Sequence, residues 1–438
     1  MYMLYIQQYK VCRKYLSNPK TTLHPMKKDL PISRRGFVKN TSLTALGLGL
    51  AGSTALASSP AKVKNKLPQW KGFNLLDFFS PNPSNSRRGT SEEYLQWMAD
   101  WGFDFVRIPM AYPYYLDIDR TKNITPDDVY KIDEKAVDKI DQLVSTAHKH
   151  NLHVSLNLHR APGYCVNAGF HEPYNLWIDQ DALFAFCYHW AMWAKRYQYV
   201  SSEKISFDLV NEPSMREDMN DQHSLRSTVP GELYRKVAKA ASEAIRQYYP
   251  DRLVIADGND VGKSVIPEIT DLNIAQSCRG YYPGIISHYK APWANKDPES
   301  LPEPVWPGKI DVQHILVNEP QKFKAEDLSP EVGPNGERYL ILNRQKLEAF
   351  YQPWIELVNS GVGVHCGECG CWNKTPHHVF LAWFGDVLDI LSTNGIGFAI
   401  WEFAGSFGVL DSGREDVAYE DWYGHKLDRK MLNLLTKQ

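Results

Sequence analysis

Ile205-Ser206-Phe207-Asp208-Leu209-Val210-Asn211-Glu212-Pro213 is an apolar, β-prone run closed by a proline. Such a run reads as a buried strand that stops abruptly. It delivers a carboxamide and a carboxylate, Asn211-Glu212, at its end. A buried parallel strand with that ending fits one spoke of a closed barrel, in which strand C-terminal ends carry the chemistry. Taken alone, the same letters also describe an ordinary strand followed by a solvated glutamate. The neighbouring sequence has to arbitrate.

Outward from this stretch, short apolar runs alternate with amphipathic helical patterns. Strands are expected at Trp70–Leu75, Phe103–Ile108, His153–Leu158, the opening stretch Ile205–Pro213, Arg252–Ala256, Gly284–Ser287, Val362–His365 and Gly397–Ile400. Between them lie helices of 3.6-residue period. Thr90-x-x-Glu93 reads as a capping box before Tyr94, Trp97, Met98 and Trp101. Ile132, Ala136, Val137, Ile140, Leu143, Val144 and Ala147 share one face of the next helix, and further helices follow around 181–197, 233–248, 345–358 and after Thr375-Pro376. Eight strands mostly alternating with helices imply an α/β fold, a (β/α)8 TIM barrel forming one domain over residues 58–438. Lys290–Asn343, rich in proline and charge, is a long insertion after strand six and is expected to fold over the active face.

The chain has 438 residues and a formal net charge of −2, which argues against nucleic acid or an anionic membrane as main partners. Its 13 tryptophans and 24 tyrosines supply the flat apolar faces that sugar-binding clefts use. Ser33-Arg34-Arg35-Gly36-Phe37-Val38-Lys39 matches the twin-arginine export pattern, and Ala55-Leu56-Ala57 forms an A-x-A cleavage site. Residues 1–57 are therefore read as an export signal, with 1–25 a start-codon artefact before Met26, and the mature protein as periplasmic or secreted without a membrane anchor. Cys366-Gly367-Glu368-Cys369-Gly370-Cys371 invites a metal, but no second Cys/His cluster completes a four-ligand site. Buried free thiols or one local disulfide are expected there, with neither metal nor cofactor.

The polar residues ending the strands are Arg107, His159, Asn211-Glu212, His288-Tyr289, Glu368 and Trp401. Two glutamates on different spokes can face each other across the barrel mouth, as glycoside hydrolysis requires. The order R-x-P, L-H, N-E-P, H/Y, G-E-x-G, W resembles glycoside hydrolase family five over essentially the whole mature chain, from Lys71-Gly72-Phe73-Asn74 to Phe407–Ser412. No single motif decides this; six in order do.

That resemblance implies Glu212 as general acid/base and Glu368 as nucleophile, held ionised by Arg107 with help from Tyr289. Asn211 is to hydrogen-bond the sugar 2-hydroxyl, His159 and His288 to shape the site, and Trp401 to stack on the sugar. The family often shows H-x-Y after strand six, whereas Ser287-His288-Tyr289 places serine where that histidine belongs. Which of His288 and Tyr289 reaches the nucleophile stays open. Asn318-Glu319-Pro320 repeats the N-E-P triplet without a strand before it and is read as coincidence, and Glu402 as structural. The expected activity is retaining hydrolysis of a β-glucan by a monomer, most simply as an endo-β-1,4-glucanase. The alternatives are a β-mannanase or exo-β-1,3-glucanase, a carbohydrate-binding barrel without activity, and an enzyme built on Cys366, Cys369 and Cys371.

Overall fold

A computed structural model describes residues 67–85, 89–167, 170–221, 224–320 and 322–437; the export pattern and its cleavage site lie outside them. Eight parallel strands close into a barrel: β1 Lys71–Asn74, β2 Phe105–Ala111, β3 His153–Ala161, β4 Ile205–Asp208, β5 Val254–Asp257, β6 Ala275–Gly280, β7 Val364–Cys369 and β8 Gly397–Ile400. Each pairs with the next, and β1 pairs with β8 to complete the ring. Helices α1 Glu92–Asp100, α2 Glu134–Lys149, α3 Gln180–Arg196, α4 Gly231–Arg246, α5 Arg344–Asn359, α6 His377–Thr393 and α7 Arg429–Thr436 surround it. The expected TIM barrel is the observed fold.

Two local expectations are corrected. The sixth strand is Ala275–Gly280, and Gly284–Ser287 is instead a single helical turn after Pro283. Polar side chains line β6: Gln276 bonds both backbone groups of Ile266 (2.8 and 2.8 Å), while Ser277 and Arg279 meet each other at 3.1 Å. A search for apolar runs passes over such a strand. At α1 the cap is Ser91, whose hydroxyl accepts from Tyr94 N–H at 3.3 Å; Thr90 bonds Asp77 instead.

The insertion carries its own antiparallel sheet of Gly308–Asp311, Arg338–Leu342 and Leu328–Val332. Ile310, Leu340 and Leu342 bury themselves in the main core, and the Trp306 indole donates to Asp386 on α6 at 2.8 Å. The sheet thus leans on the outer helices, and the contact with Glu368 comes from Tyr281, ahead of the insertion. Glu319 of the second N-E-P triplet ends a short helix in this insertion and pairs with Lys322 at 3.6 Å.

The barrel floor is plugged by rings. Trp70 stacks on His153 with centroids 3.8 Å apart, Phe105 lies 4.6 Å from His365, and the His153 ring meets Ser206 Oγ at 2.9 Å. Alternation along each strand then sends the next inward residues into a polar layer above the plug. Phe105 is followed by Arg107, His153 by Ser155 and Asn157, and Ser206 by Asp208. On β7 the register shifts between Cys366 and Glu368, so the odd-numbered His365 and the even-numbered Glu368 both point inward. Because Phe105 is 1% exposed within the plug, Phe105→Ala is expected to destabilise the fold by about 3–5 kcal/mol. A denaturant titration checks this, and an unchanged midpoint would show that the plug does not hold the barrel closed.

Candidate active site

The site grows from the upper polar layer, at the C-terminal ends of the strands. Arg107 on β2 is 1% exposed, hydrogen-bonds four partners and lies 3.6 Å from Asp257 Oδ2. Its Nε donates to Asp208 Oδ2 at 2.7 Å, and its Nη1 to Glu368 Oε1 at 2.7 Å and Asn74 Oδ1 at 3.0 Å. Its Nη2 donates to Asn211 Oδ1 at 2.9 Å. A second guanidinium, Arg279 on β6, faces it. Arg279 Nε donates to Glu212 Oε1 at 3.0 Å, and its Nη1 and Nη2 hold both oxygens of Asp257. Nη2 also meets Asn211 Oδ1 at 2.8 Å and Glu368 Oε1 at 3.3 Å.

Asn211 therefore has its orientation fixed: the oxygen takes two guanidinium donors, leaving the buried Nδ2 without a hydrogen-bond partner among the described residues. Glu212 follows it in a left-handed backbone conformation, φ 47°. Its N–H donates to Asp257 Oδ2 at 2.9 Å, and its carbonyl accepts from the Tyr164 hydroxyl at 2.5 Å. The structure thus brings Arg107, Asn211, Glu212 and Glu368 into one hydrogen-bonded cluster.

Burial first, and then the Glu368 carboxylate, push the Glu212 carboxyl up to about 7 against the pull of Arg279. Burial and the neighbouring Asp257 raise Asp208 to about 7 as well. Asp257 goes the other way: burial would raise it, but Arg279 and Arg107 hold it below the usual carboxylate range.

Rings wall the cleft. His159 lies 5.6 Å from Trp401 and 4.6 Å from Phe79, and its Nε2 meets Asn167 Nδ2 at 3.2 Å. Burial, then Arg107 and Arg279, lower the His159 imidazole well below its ordinary value, so the ring is neutral. Arg160 and Glu172, paired at 3.0 Å, fix the loop that carries Asn167, and Glu172 also accepts from Gly163 N–H and the Tyr112 hydroxyl.

The assignments after strand six change with the strand. The Tyr281 hydroxyl meets Glu368 Oε2 at 3.4 Å, and burial with Glu368 nearby keeps this phenol protonated. Neither His288 nor Tyr289 has that contact. His288 bonds Ser287 Oγ at 2.8 Å and backs the Tyr281 ring at 4.9 Å, while Tyr289 is buried under Lys290. With β6 placed correctly, the family's H-x-Y pattern falls on Arg279-Gly280-Tyr281, with arginine in the histidine position. Asp208, Asp257, Arg279 and Tyr281 escaped sequence reading. The available signals were a lone acid inside the β4 run and an R-x-Y triplet at the end of an unrecognised strand.

The thiols Cys366, Cys369 and Cys371 are free and buried, and their sulfurs face three different carbonyls, those of Glu368, Ala399 and Ile286 (3.3–3.5 Å). Among the described residues no group of three or more His, Cys, Asp or Glu side chains is placed to hold a metal ion. Glu402 accepts from Phe407 N–H at 3.1 Å, bracing the loop after β8.

Residues 60–406 match the model of cellulase, glycosyl hydrolase family 5. The chain is 25% identical to endoglucanase C of Acetivibrio thermocellus over 75% of this chain and 89% of that protein. It is 22% identical to cellodextrinase A of Ruminococcus flavefaciens, over 74% and 83% respectively. A crystal structure of a glycoside hydrolase superposes with a TM-score of 0.69 at 34% identity, covering 84% of this chain and 99% of that one.

Removing one side of the buried network exposes its cost. Arg107→Met strands Asp208 and Glu368 without their closest cation and is expected to lower stability by about 3–5 kcal/mol. Equilibrium unfolding measures it, and a variant as stable as the parent would mean that Arg279 alone satisfies the cluster.

Proposed function

This chain belongs to glycosyl hydrolase family 5 and is a glycosidase, and from that premise we propose that it is a retaining endo-β-1,4-glucanase. The observation that carries the reading is the pair Glu212 and Glu368, on neighbouring corners of one guanidinium cluster yet in different surroundings. Two carboxyls serve acid and nucleophile when their environments set their protonation apart.

Glu212, raised to about 7, carries its proton below neutral pH and begins to lose it as pH rises through about 7. Glu368 Oε1 accepts from both arginines, at 2.7 and 3.3 Å, which fixes the carboxyl of the nucleophile in place. In the first step Glu212 gives its proton to the glycosidic oxygen while Glu368 attacks the anomeric carbon and the bonding pair leaves with that oxygen. In the second, Glu212 takes a proton from water as the water displaces Glu368. The Nδ2 of Asn211, without a hydrogen-bond partner among the described residues, supplies a donor for the 2-hydroxyl, and Trp401 with His159 and Phe79 offers a ring wall for the sugar. Endo action on a glucan is supported by the similarity to endoglucanase C. A β-mannanase and an exo-β-1,3-glucanase use the same chemistry and are separated by substrate. The Ser33–Lys39 pattern supports export of the enzyme to the periplasm or beyond.

Reducing-sugar release from a panel of β-glucans and mannans is expected to be highest on a soluble β-1,4-glucan. Proton NMR of the first products is expected to show the β-anomer, and initial α-product would overturn retention. Glu368→Gln is expected to lower turnover by at least about 1,000-fold while polysaccharide binding persists; retained activity would show that Glu368 is not the nucleophile. Because the acid must be protonated, kcat/KM is expected to fall as pH rises through about 7. A basic limb below pH 5 would show that Glu212 is not the proton donor.

A further inference from the structure

Arg279 is held in a slot made for it. A side chain at Gly262 would bring a Cβ to 2.5 Å from Arg279 Cγ. One at Gly367 would come 3.4 Å from Nη1 and 2.6 Å from Ser277 Oγ. The arginine is therefore threaded between glycines of the loop after β5 and of β7 itself. Its side chain is 3% exposed. Asp257, Ser277 Oγ and the Cys278 carbonyl hold one end of the fork. A group this constrained presents its donors at fixed positions.

What those donors meet is asymmetric. Nε reaches Oε1 of Glu212 at 3.0 Å, while Oε2 has no protein hydrogen bond among the described residues. A carboxylic acid whose Oε1 already accepts an N–H carries its own proton on the other oxygen. We propose that Arg279 is a positioning residue for proton transfer: it fixes Oε1 of Glu212 as the acceptor, so that Oε2 holds the proton and delivers it to the departing glycosidic oxygen. The same guanidinium touches Oε1 of Glu368 at 3.3 Å and so holds the two carboxyls at a set distance from each other. When the glycosidic bond breaks, its electron pair goes to the leaving oxygen and the Oε2 proton follows. Glu212 becomes a carboxylate, and its new charge lies beside a guanidinium already in place. This assignment rests on the acid and nucleophile reading given above.

Acid assistance matters in proportion to how poor the leaving group is, which gives a readout that a purely structural role would not move. The measurement is kcat/KM for a set of aryl β-cellobiosides from 2,4-dinitrophenol to phenol, on the parent enzyme, Glu212→Gln, Arg279→Lys and Arg279→His. Lysine keeps a cation beside Asp257 but lacks the fork; histidine keeps a ring N–H donor on a shorter side chain. Melting curves select the variants that fold. For either Arg279 variant, the phenyl substrate is expected to lose at least about tenfold more than the dinitrophenyl substrate. Glu212→Gln is expected to show the same selective loss in larger measure. Equal losses on both substrates in a folded Arg279 variant, with the selective loss retained in Glu212→Gln, would overturn the role of Arg279 and leave the catalytic pair standing. A parent enzyme inert on every cellobioside and glucan, or a Glu212→Gln variant without selective loss, would instead overturn the underlying reading.

Discussion

Two buried guanidinium groups shared among four carboxyls are the constraint around which this barrel mouth is arranged. Arg107 and Arg279 face Asp208, Glu212, Asp257 and Glu368 in a volume where an unpaired charge is costly. Four ionised acids exceed the positive charge available, so some must hold protons near neutrality. Geometry decides which. Asp257 grips both oxygens onto Arg279 and stays ionised, whereas Asp208 and Glu212 rise to about 7. The raised value of Glu212 follows from burial first and then from the carboxylate of Glu368, with Asp257 adding to it against the pull of Arg279.

The lower barrel makes that cluster affordable. Trp70, Phe105, His153 and His365 form a buried floor of rings, and strand alternation raises the next inward residues into the polar layer. Burial lowers His153 and His365 to about 3, so both floor imidazoles are neutral and add no charge beneath the arginines. The bulge in β7 then matters chemically. Strict alternation after His365 would bring Gly367 inward and turn Glu368 out, and the shift between Cys366 and Glu368 reverses this. Gly367 at that point leaves the Arg279 fork its space.

Much of this was legible in the sequence, and the failures share a cause. Hydrophobic periodicity located seven of the strands because their outward residues pack on helices and read as apolar runs. It missed Ala275–Gly280, where Gln276, Ser277 and Arg279 are engaged in polar contacts. It chose instead the apolar Gly284-Ile285-Ile286-Ser287, which is one turn of helix. That single slip moved attention to His288 and Tyr289 and hid Arg279 and Tyr281. Strands that carry the most chemistry on their inner face are the least apolar, so pattern reading fails where a barrel is most functional. Glu212 was found because it sits just beyond a strongly apolar run, and Glu368 because it follows the expected run Val362–His365, although it lies within β7 itself. Asp208 and Asp257 belong to the strands themselves, and no local pattern separates a buried partner of an arginine from an ordinary polar residue.

The backbone of Glu212 closes the argument about positioning. Its φ of 47° is a conformation that a residue with a Cβ adopts only when its surroundings impose it. Here Tyr164 holds the carbonyl and Asp257 the N–H. Asp257 also grips Arg279, and Arg279 grips the Glu212 side chain. The chain of contacts thus runs from the Glu212 backbone through Asp257 and Arg279 back to Glu212 Oε1, fixing the backbone and the side-chain tip to one common carboxylate. A glutamate tethered at both ends retains little rotamer freedom, and the entropy of aiming its carboxyl is spent during folding, before any sugar arrives. The strained φ is therefore part of the same device as the guanidinium: one sets where the side chain starts, the other where it ends.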